Sequence, residues 1–234
     1  MSDLPVSDLQ VLRDRLDQGS SKQQFQAIQE LAAQGSEGEA LLMDILLQRL
    51  SAPITAVEGS IVQVFACSTS PVTHEFLSSH VPNGLVRLSS ERGIDYSAIQ
   101  TTLAQKQYEE ADRLTLQKMC ELAGPIAARR KWLYFSDVDQ FPVADLQLLD
   151  LLWQVYSENK FGFSVQRKLW LSNNKDWERL WPKIGWRQET TWTRYPNEFI
   201  WDLSAPLGHL PLSNQLRGVR VMASLMNHPA WSAT

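Results

Sequence analysis

The residues best suited to chemistry are aromatic and fall in one short stretch, WRQETTWTRYPNEFIW, residues 186 to 201. The spacing of its apolar residues fits neither an amphipathic helix nor an alternating strand, and Pro196 interrupts any helix there, so a loop is predicted. Large flat rings in a loop are typical of a ligand-binding wall, because they offer a ligand broad apolar plates. The candidate plates are Trp186, Trp192, Tyr195, Phe199 and Trp201.

Two arginines follow this stretch. From Leu203 to the end of the chain, Arg217 and Arg220 are the only formally charged residues. They lie three residues apart on a predicted helix and therefore share a face, where each guanidinium group suits a carboxylate. Rings and arginines together predict a site for a flat, mostly apolar ligand with anionic arms. The alternative is that the rings cap a small core and the arginines form a solvated face.

Other function classes have less support in the sequence. Single-stranded nucleic acid also binds aromatic and arginine side chains, but Glu189, Glu198 and Asp202 interrupt this patch. No two histidines or cysteines show metal-ligand spacing, and no phosphate-binding or nucleophile motif is present. Asp137 and Asp139 form an acidic pair that fits capping or solvation better than calcium binding. We therefore expect a binding protein rather than an enzyme, with no metal site and no nucleic-acid partner.

Composition and charge indicate an ordinary globular protein. The chain has 234 residues, 44% hydrophobic and 21% charged, with a net charge of −4. The start of the sequence is acidic and lacks the pattern of a signal or transit peptide. No apolar run approaches the roughly 20 residues that a membrane-spanning helix needs. These features predict a soluble, cytoplasmic protein of one or two domains.

The elements that must position the aromatic stretch are helices. Residues 1–84 show five helical segments bounded by Ser, Asp, Gly and Pro, which predict a helical bundle or a small helical-repeat stack. A linker rich in turn residues separates them from residues 85–234, which contain every Trp. The later domain is also predicted to be mostly helical. The inner face of its last helix should carry Leu216, Val219, Met222 and Leu225.

Several long segments of the later domain resemble the genomes-uncoupled-four family, the tetrapyrrole-binding regulators of magnesium chelatase in oxygenic phototrophs. The matching segments are YEEADRLT (108–115), FPVADLQLLDLLWQVYSENKFGFSVQ (141–166), WPKIGW (181–186), WTRYP (192–196) and SAPLGHLPL (204–212). The absence of a transit peptide and the preceding bundle are similar to the cyanobacterial form. The resemblance implies an all-α fold whose long aromatic loops form a cupped ligand site.

The resemblance also implies a function and a set of site residues. The ligands would be protoporphyrin IX and magnesium-protoporphyrin IX, with no required cofactor. The protein would stimulate magnesium chelatase, without catalysis, by working with its large porphyrin-binding subunit. Carried over residue by residue, Phe135, Tyr195 and Phe199 would line the cup, and Arg217 and Arg220 would face its charged edge.

Some expectations rest on the loop itself or stay open. Trp192 and Trp201 are added to the ligand-binding set from the aromatic stretch. His209 is the one candidate near the loop for an axial ligand to iron. We expect a monomer, either free in the cytoplasm or peripherally associated with membranes. The alternative function is a protein-interaction scaffold whose aromatic loop docks a partner peptide.

Overall fold

The computed structural model describes residues 6–213 and 219–232, and these residues are almost entirely helical. They form thirteen α-helices, one two-stranded hairpin and a short 3-10 turn. The predicted all-α class is therefore confirmed. The chain divides into two compact units, Met1–Val86 and Arg87–Thr234.

The first unit contains the five helices that the sequence predicts. The second helix packs against the first, third and fourth, so its buried face, which carries Ile28 and Leu31, lies at the centre of the unit. At the start of the fourth helix, buried Glu58 accepts hydrogen bonds from Thr55 and pairs with Arg49. The helices are α1 Val6–Gln18, α2 Ser21–Ala32, α3 Ser36–Arg49, α4 Ala56–Cys67 and α5 Pro71–His80.

The second unit packs eight helices around a core rich in aromatic residues. Its largest fully buried side chains include Trp153, Tyr108, Tyr156 and Phe161. The helices are α6 Ser97–Ala104, α7 Tyr108–Ala123, α8 Pro125–Arg130, α9 Phe135–Val138, α10 Val143–Val155, α11 Phe163–Ser172, α12 Trp177–Lys183 and α13 Arg220–Asn227. Strands β1 (Arg187–Gln188) and β2 (Thr191–Trp192) pair antiparallel.

Helices α12 and α13 end or begin at positions that their sequences do not make obvious. Helix α12 includes Pro182 in its last turn, where the missing N–H removes a single hydrogen bond before the helix ends. Helix α13 buries Val221, Met222, Leu225 and Met226, whereas Val219, predicted to face inward, is 38% exposed. The helix begins only at Arg220, so Val219 precedes its first turn. Leu216 lies outside the described residues.

A buried carboxylate anchors the irregular segment that follows the aromatic stretch. Asp112 of α7 is 4% exposed, and its Oδ1 accepts a hydrogen bond from the Leu212 backbone N–H at 2.6 Å. Burial raises the pKa of Asp112 from 3.8 to about 7, with a smaller contribution from nearby Glu109, and the Leu212 hydrogen bond opposes this rise. The residue ties two segments that lie 100 positions apart in the sequence.

We expect Asp112→Asn to change how stability depends on pH. Between the unfolded pKa of 3.8 and the folded value of about 7, the native state binds more protons, so the free energy of unfolding contributed by Asp112 falls as the pH rises. Asparagine retains an acceptor for Leu212 without a charge. The variant should therefore be more stable than the natural chain above about pH 7, with the difference shrinking toward about pH 4.

Urea unfolding followed by circular dichroism across this pH range measures the effect. Asp139→Asn, which removes an exposed carboxylate, is the matched control and should leave the slope nearly unchanged. Parallel stability curves for Asp112→Asn and the natural chain would contradict the assignment.

Candidate functional site

The aromatic loop, defined here as residues 186–201, begins with the short hairpin. Arg187 pairs with Trp192 and Gln188 with Thr191. Beyond the two strands, the Thr193 N–H donates to the Trp186 carbonyl at 3.0 Å. The sequence predicted only a loop here, because strands of two residues leave no readable alternation. The hairpin fixes the start of the loop and holds Trp192 where 37% of its surface is exposed.

Three predicted site residues form one ring cluster in the second half of the loop. Tyr195 lies 6.3 Å from Phe199 and 5.9 Å from Trp201, and Phe199 lies 5.8 Å from Trp201, measured between ring centroids. The Trp201 Nε1–H donates to the Pro196 carbonyl. Phe199 is only 6% exposed and Trp201 is half-buried, whereas Tyr195 is 47% exposed. Tyr195 is therefore the most exposed ring of this cluster.

His209 supports the cluster from the core. Its ring lies 5.1 Å from that of Phe199. One ring nitrogen, Nδ1, bonds to the Ile184 carbonyl at 2.6 Å, and the other, Nε2, accepts from the Ile200 N–H at 3.2 Å. Burial lowers the pKa of His209, which favours the neutral ring that this pair of hydrogen bonds requires. Both nitrogens are thus engaged with backbone, so His209 positions the loop and offers no free nitrogen to a metal.

Trp192 belongs to a different group of rings. Its centroid lies 5.6 Å from that of Trp181, and the Arg187 guanidinium lies 5.6 Å from its ring. Trp181 stacks in turn on Trp177 and Trp186. Trp192 is therefore the exposed end of a tryptophan stack, and its ring contacts differ from those of the Tyr195 cluster.

Phe135 and Arg220 form the other part of the predicted site that the structure describes. Phe135 starts α9 and is 42% exposed, and the Arg220 guanidinium at the start of α13 lies 5.8 Å from its ring. The neighbouring Tyr134 is 48% exposed. An exposed aromatic surface with a cation at its edge results. Arg217, its predicted companion, lies outside the described residues.

An arginine holds the segment before Phe135 in place. The Arg130 guanidinium lies 4.4 Å from the Trp132 ring and 4.2 Å from the Tyr134 ring. Arg130 also pairs with Asp137, which accepts the Tyr134 backbone N–H at the start of α9. Asp137 is thus a capping residue, as the sequence indicated.

A cleft of about 350 Å³ opens beside the exposed face of Tyr195. Arg113 in this cleft pairs with Glu110 at 2.6 Å, so part of its charge is already neutralised. Burial raises the pKa of Tyr195, and the negative charges of Asp112 and Glu109 raise it further, so the hydroxyl stays protonated. The lining residues are Lys106, Gln107, Tyr108, Glu109, Glu110, Arg113, Tyr195 and Trp201.

Sequence reasoning missed two features that shape the site. Asp112 interrupts the apolar face of α7, and a charged residue at such a position is the signal that could have identified it. The stack formed by Trp170, Trp177, Trp181 and Trp186 left a weaker signal, the four-residue spacing of Trp177 and Trp181. Contacts between α11, α12 and the hairpin create the rest of the stack.

The described residues contain neither a cluster of metal ligands nor a helix that could span a membrane. No group of three or more His, Cys, Asp or Glu residues lies close enough to hold a metal ion within residues 6–213 and 219–232. Over the same residues, every helix is too short or too polar to cross a bilayer.

Both parts of the chain match family models. Residues 89–229 match the GUN4-like model, and residues 1–82 match the model described as an ARM-like repeat domain at the N terminus of GUN4 proteins. The two matches coincide closely with the two compact units.

Individual relatives and a solved structure agree with these matches. The Ycf53-like protein of Synechocystis is 46% identical over 227 residues, covering 96% of this chain and 97% of its own. The Arabidopsis thaliana protein named tetrapyrrole-binding protein, chloroplastic, is 34% identical over 146 residues, covering 58% of this chain and 55% of its own. The structure of GUN4 from Chlamydomonas reinhardtii aligns with a TM-score of 0.59 at 42% identity, covering 63% of this chain and 94% of that one. With more than half of its length matched by the family model and a relative aligned almost end to end, the chain belongs to the GUN4-like family.

Proposed function

We propose that this chain binds tetrapyrroles, with protoporphyrin IX and magnesium-protoporphyrin IX as its ligands. The observation that carries the proposal is that three of the predicted site rings, Phe135, Trp192 and Tyr195, are each between 37% and 47% exposed. Exposed aromatic rings of this size favour a flat apolar partner, because stacking adds to the gain from removing both surfaces from water. A relative named for tetrapyrrole binding supports the same ligand class.

The arginines would recognise the ligand's charged edge. A tetrapyrrole of this class carries two propionates, and Arg220 already lies beside the exposed Phe135 ring. A guanidinium can pair with a carboxylate in a bidentate manner, whereas a lysine offers a point charge. In this proposal Arg217 and Arg220 pair with the propionates while Phe135, Trp192, Tyr195, Phe199 and Trp201 form or support the apolar wall.

The two histidines of the second unit have both ring nitrogens engaged, which fits ligands that need no axial nitrogen from this unit. Both nitrogens of His209 are bonded to backbone, and the nitrogens of His228 bond to Phe141 and Ala230. A metal-free or magnesium tetrapyrrole can bind by stacking and by its propionates alone. The protein itself would need no cofactor.

We further propose that the bound form stimulates magnesium chelatase without taking part in catalysis. The large porphyrin-binding subunit of the chelatase would be the partner, and the chain would act as a monomer in the cytoplasm or at the membrane periphery. Membership of the GUN4-like family supports this regulatory role. Chelatase assays with and without the chain test it directly, since a regulator changes the rate only when the enzyme is present.

A scaffold function is the second candidate, and one observation favours it. Aliphatic side chains of the second unit are also exposed, including Ile126 at 68% and Val143 and Val219 at 38% each. Exposed apolar side chains also suit a partner peptide. Titration with a soluble porphyrin separates the candidates, because only a tetrapyrrole-binding protein should quench tryptophan emission and shift the Soret band.

Residues 85–234 should bind porphyrin without the first unit. All proposed site residues lie in this part of the chain, which forms a compact unit of its own from Arg87 onward. The expected result is an affinity close to that of the full chain, measured by Soret titration of the truncated protein after circular dichroism has shown it to be folded. A folded truncation with no binding would place part of the site in the first unit.

Replacing exposed and buried rings should have different effects. Trp192→Ala and Tyr195→Ala should weaken porphyrin binding several-fold, because an aromatic pair contributes ~0.5–1.5 kcal/mol beyond burial. Phe199→Ala removes a buried ring against His209 and should also lower stability by about 3–5 kcal/mol. Thermal melts and Soret titrations on the same samples give both quantities. Unchanged affinity in the two exposed-ring variants would contradict their place in the site.

Replacing both Arg217 and Arg220 by Ala should weaken porphyrin binding about tenfold or more. Each hydrogen bond to a charged group contributes ~1.5–3 kcal/mol, reduced by exposure, and ~1.4 kcal/mol corresponds to one decade. Lysine at both positions should restore only part of the loss. A porphyrin with esterified propionates should bind both proteins with similar affinity. Equal losses for the acid and the ester would instead assign the arginines to another role.

A further inference from the structure

Five tryptophans form a continuous path of indole rings through the second unit. Trp170 lies 4.9 Å from Trp177, and Trp177 lies 5.2 Å from Trp181, with interplanar angles of 28° and 19°. Trp181 lies 5.6 Å from Trp186, almost parallel to it, and 5.6 Å from Trp192. Aliphatic side chains could also fill this volume. Packing alone therefore does not explain why electron-rich rings are in unbroken contact here.

Three of the five rings are buried, and Trp192 at one end is the most exposed. Trp186, Trp181 and Trp170 are between 1% and 5% exposed, Trp177 is half-buried, and Trp192 is 37% exposed. Trp192 is therefore the ring through which a bound molecule would contact the path. Indole is the most easily oxidised aromatic side chain apart from the phenol of Tyr, and rings in contact exchange a single electron readily.

The surroundings disfavour loss of a proton from an oxidised ring. An indole radical cation becomes trapped when its Nε1–H proton passes to a base. The Trp186 Nε1–H donates to a backbone carbonyl, that of His209, which is a poor base. The buried Trp170 Nε1 has no acceptor among the described residues. An electron vacancy, or hole, on either of these rings therefore keeps its positive charge and can move to a neighbouring ring.

Two cations influence where the hole would rest. The Lys175 ammonium lies 5.6 Å from the Trp170 ring, and the Arg187 guanidinium lies 5.6 Å from the Trp192 ring. Each raises the cost of a positive charge on its ring, although Glu178 pairs with Arg187 and offsets part of that effect. The two cations therefore disfavour a hole on Trp170 and Trp192 relative to Trp177, Trp181 and Trp186, while burial opposes a charge on Trp181 and Trp186.

We propose that this tryptophan stack is a one-electron path that carries an oxidising equivalent from Trp192 into the protein interior. The oxidant is a photoexcited tetrapyrrole at the proposed site, so the biological role rests on the proposed function. One electron passes from Trp192 to the excited ring, which gives a tetrapyrrole radical anion and a Trp192 radical cation. Trp181 then returns an electron to Trp192, and the hole moves to the interior rings.

No bond forms or breaks in this sequence, and the cycle closes without another reactant. The tetrapyrrole radical anion returns its electron to the hole, and both partners recover their starting states. Separation over several rings slows this recombination. The stack would thus quench the excited ligand and spread the oxidising equivalent away from the binding surface.

Trp181→Phe tests the path, because Trp181 contacts three of the other four rings. Phenylalanine retains a ring but is much harder to oxidise. The full chain is irradiated with a ruthenium tris-bipyridine complex and a sacrificial electron acceptor, which produces a soluble one-electron oxidant without any tetrapyrrole. Transient absorption follows the tryptophan radical, and peptide mass spectrometry locates the oxidised tryptophans. Trp231→Phe, which removes a buried indole outside the stack, is the matched control.

The natural chain and Trp231→Phe should give oxidation products on Trp177 and on Trp181. Trp181 is buried, so a soluble oxidant reaches it poorly by direct contact. In Trp181→Phe, products should concentrate on Trp192 and the radical lifetime should fall several-fold. Equal lifetimes in all three proteins, with products confined to exposed tryptophans, would overturn the proposal. If Trp181→Phe does not fold, Trp192→Phe removes the exposed entry to the path, and unchanged oxidation of buried Trp181 in that variant would also overturn the proposal.

A second measurement separates this proposal from the proposed function. Soret titration of the same variants reports porphyrin binding, and transient absorption after excitation of bound protoporphyrin IX reports the lifetime of the tryptophan radical. Binding with an equal radical lifetime in Trp181→Phe and the natural chain would reject the stack as a path and leave tetrapyrrole binding intact. Loss of binding in the natural chain would reject the proposed ligand, while the ruthenium experiment would still decide whether the path exists.

Discussion

The candidate site depends on satisfying the backbone of a long irregular segment. Between the end of α12 and the start of α13, the described residues contain only one short hairpin, so most backbone groups lack a helical partner. Side chains from the helices supply the missing partners. Gln166 donates to the Gly208 and Pro211 carbonyls, and Asp112 accepts from Leu212. Without these bonds the segment would carry unpaired polar groups at considerable cost.

Close packing reinforces these hydrogen bonds. Gly208 has a φ of +76°, and a Cβ atom there would lie 2.8 Å from the Leu169 side chain, so the segment approaches α11 as only glycine allows. Phe199 on His209 then fixes the centre of the aromatic loop to the same core. The exposed rings can therefore be presented in a defined arrangement, which reduces the entropy that a ligand must remove on binding.

Tryptophans in the second unit serve two purposes that composition alone cannot separate. Trp153 is fully buried and donates to Thr115, which makes it an ordinary core residue. Trp192 carries a large exposed surface at the end of the stack. The same side chain thus contributes packing in one place and an accessible surface in another, and the surrounding elements decide which.

The sequence by itself determined the helical class, the five helices of the first unit and the place of the aromatic loop. Periodic apolar residues with Ser, Asp, Gly and Pro at their boundaries are local signals, and local signals suffice for helices. The short helices α8 and α9 and the exposure of Val219 could not be read in this way, because so few residues show no periodicity. Trp192, Tyr195 and Phe199 were candidates because the loop is rich in aromatic residues. Aromatic content alone does not show which of these rings are buried.

Tertiary structure decided which of those rings are accessible and which groups hold them. Phe199 is buried because His209 packs against it, and Tyr195 is exposed because it borders a cleft. The hydrogen bond between Asp112 and Leu212 joins residues 100 positions apart, and the pairing of Phe135 with Arg220 spans a similar distance. Such contacts arise only when distant elements pack together, and one sequence contains no local pattern that specifies them.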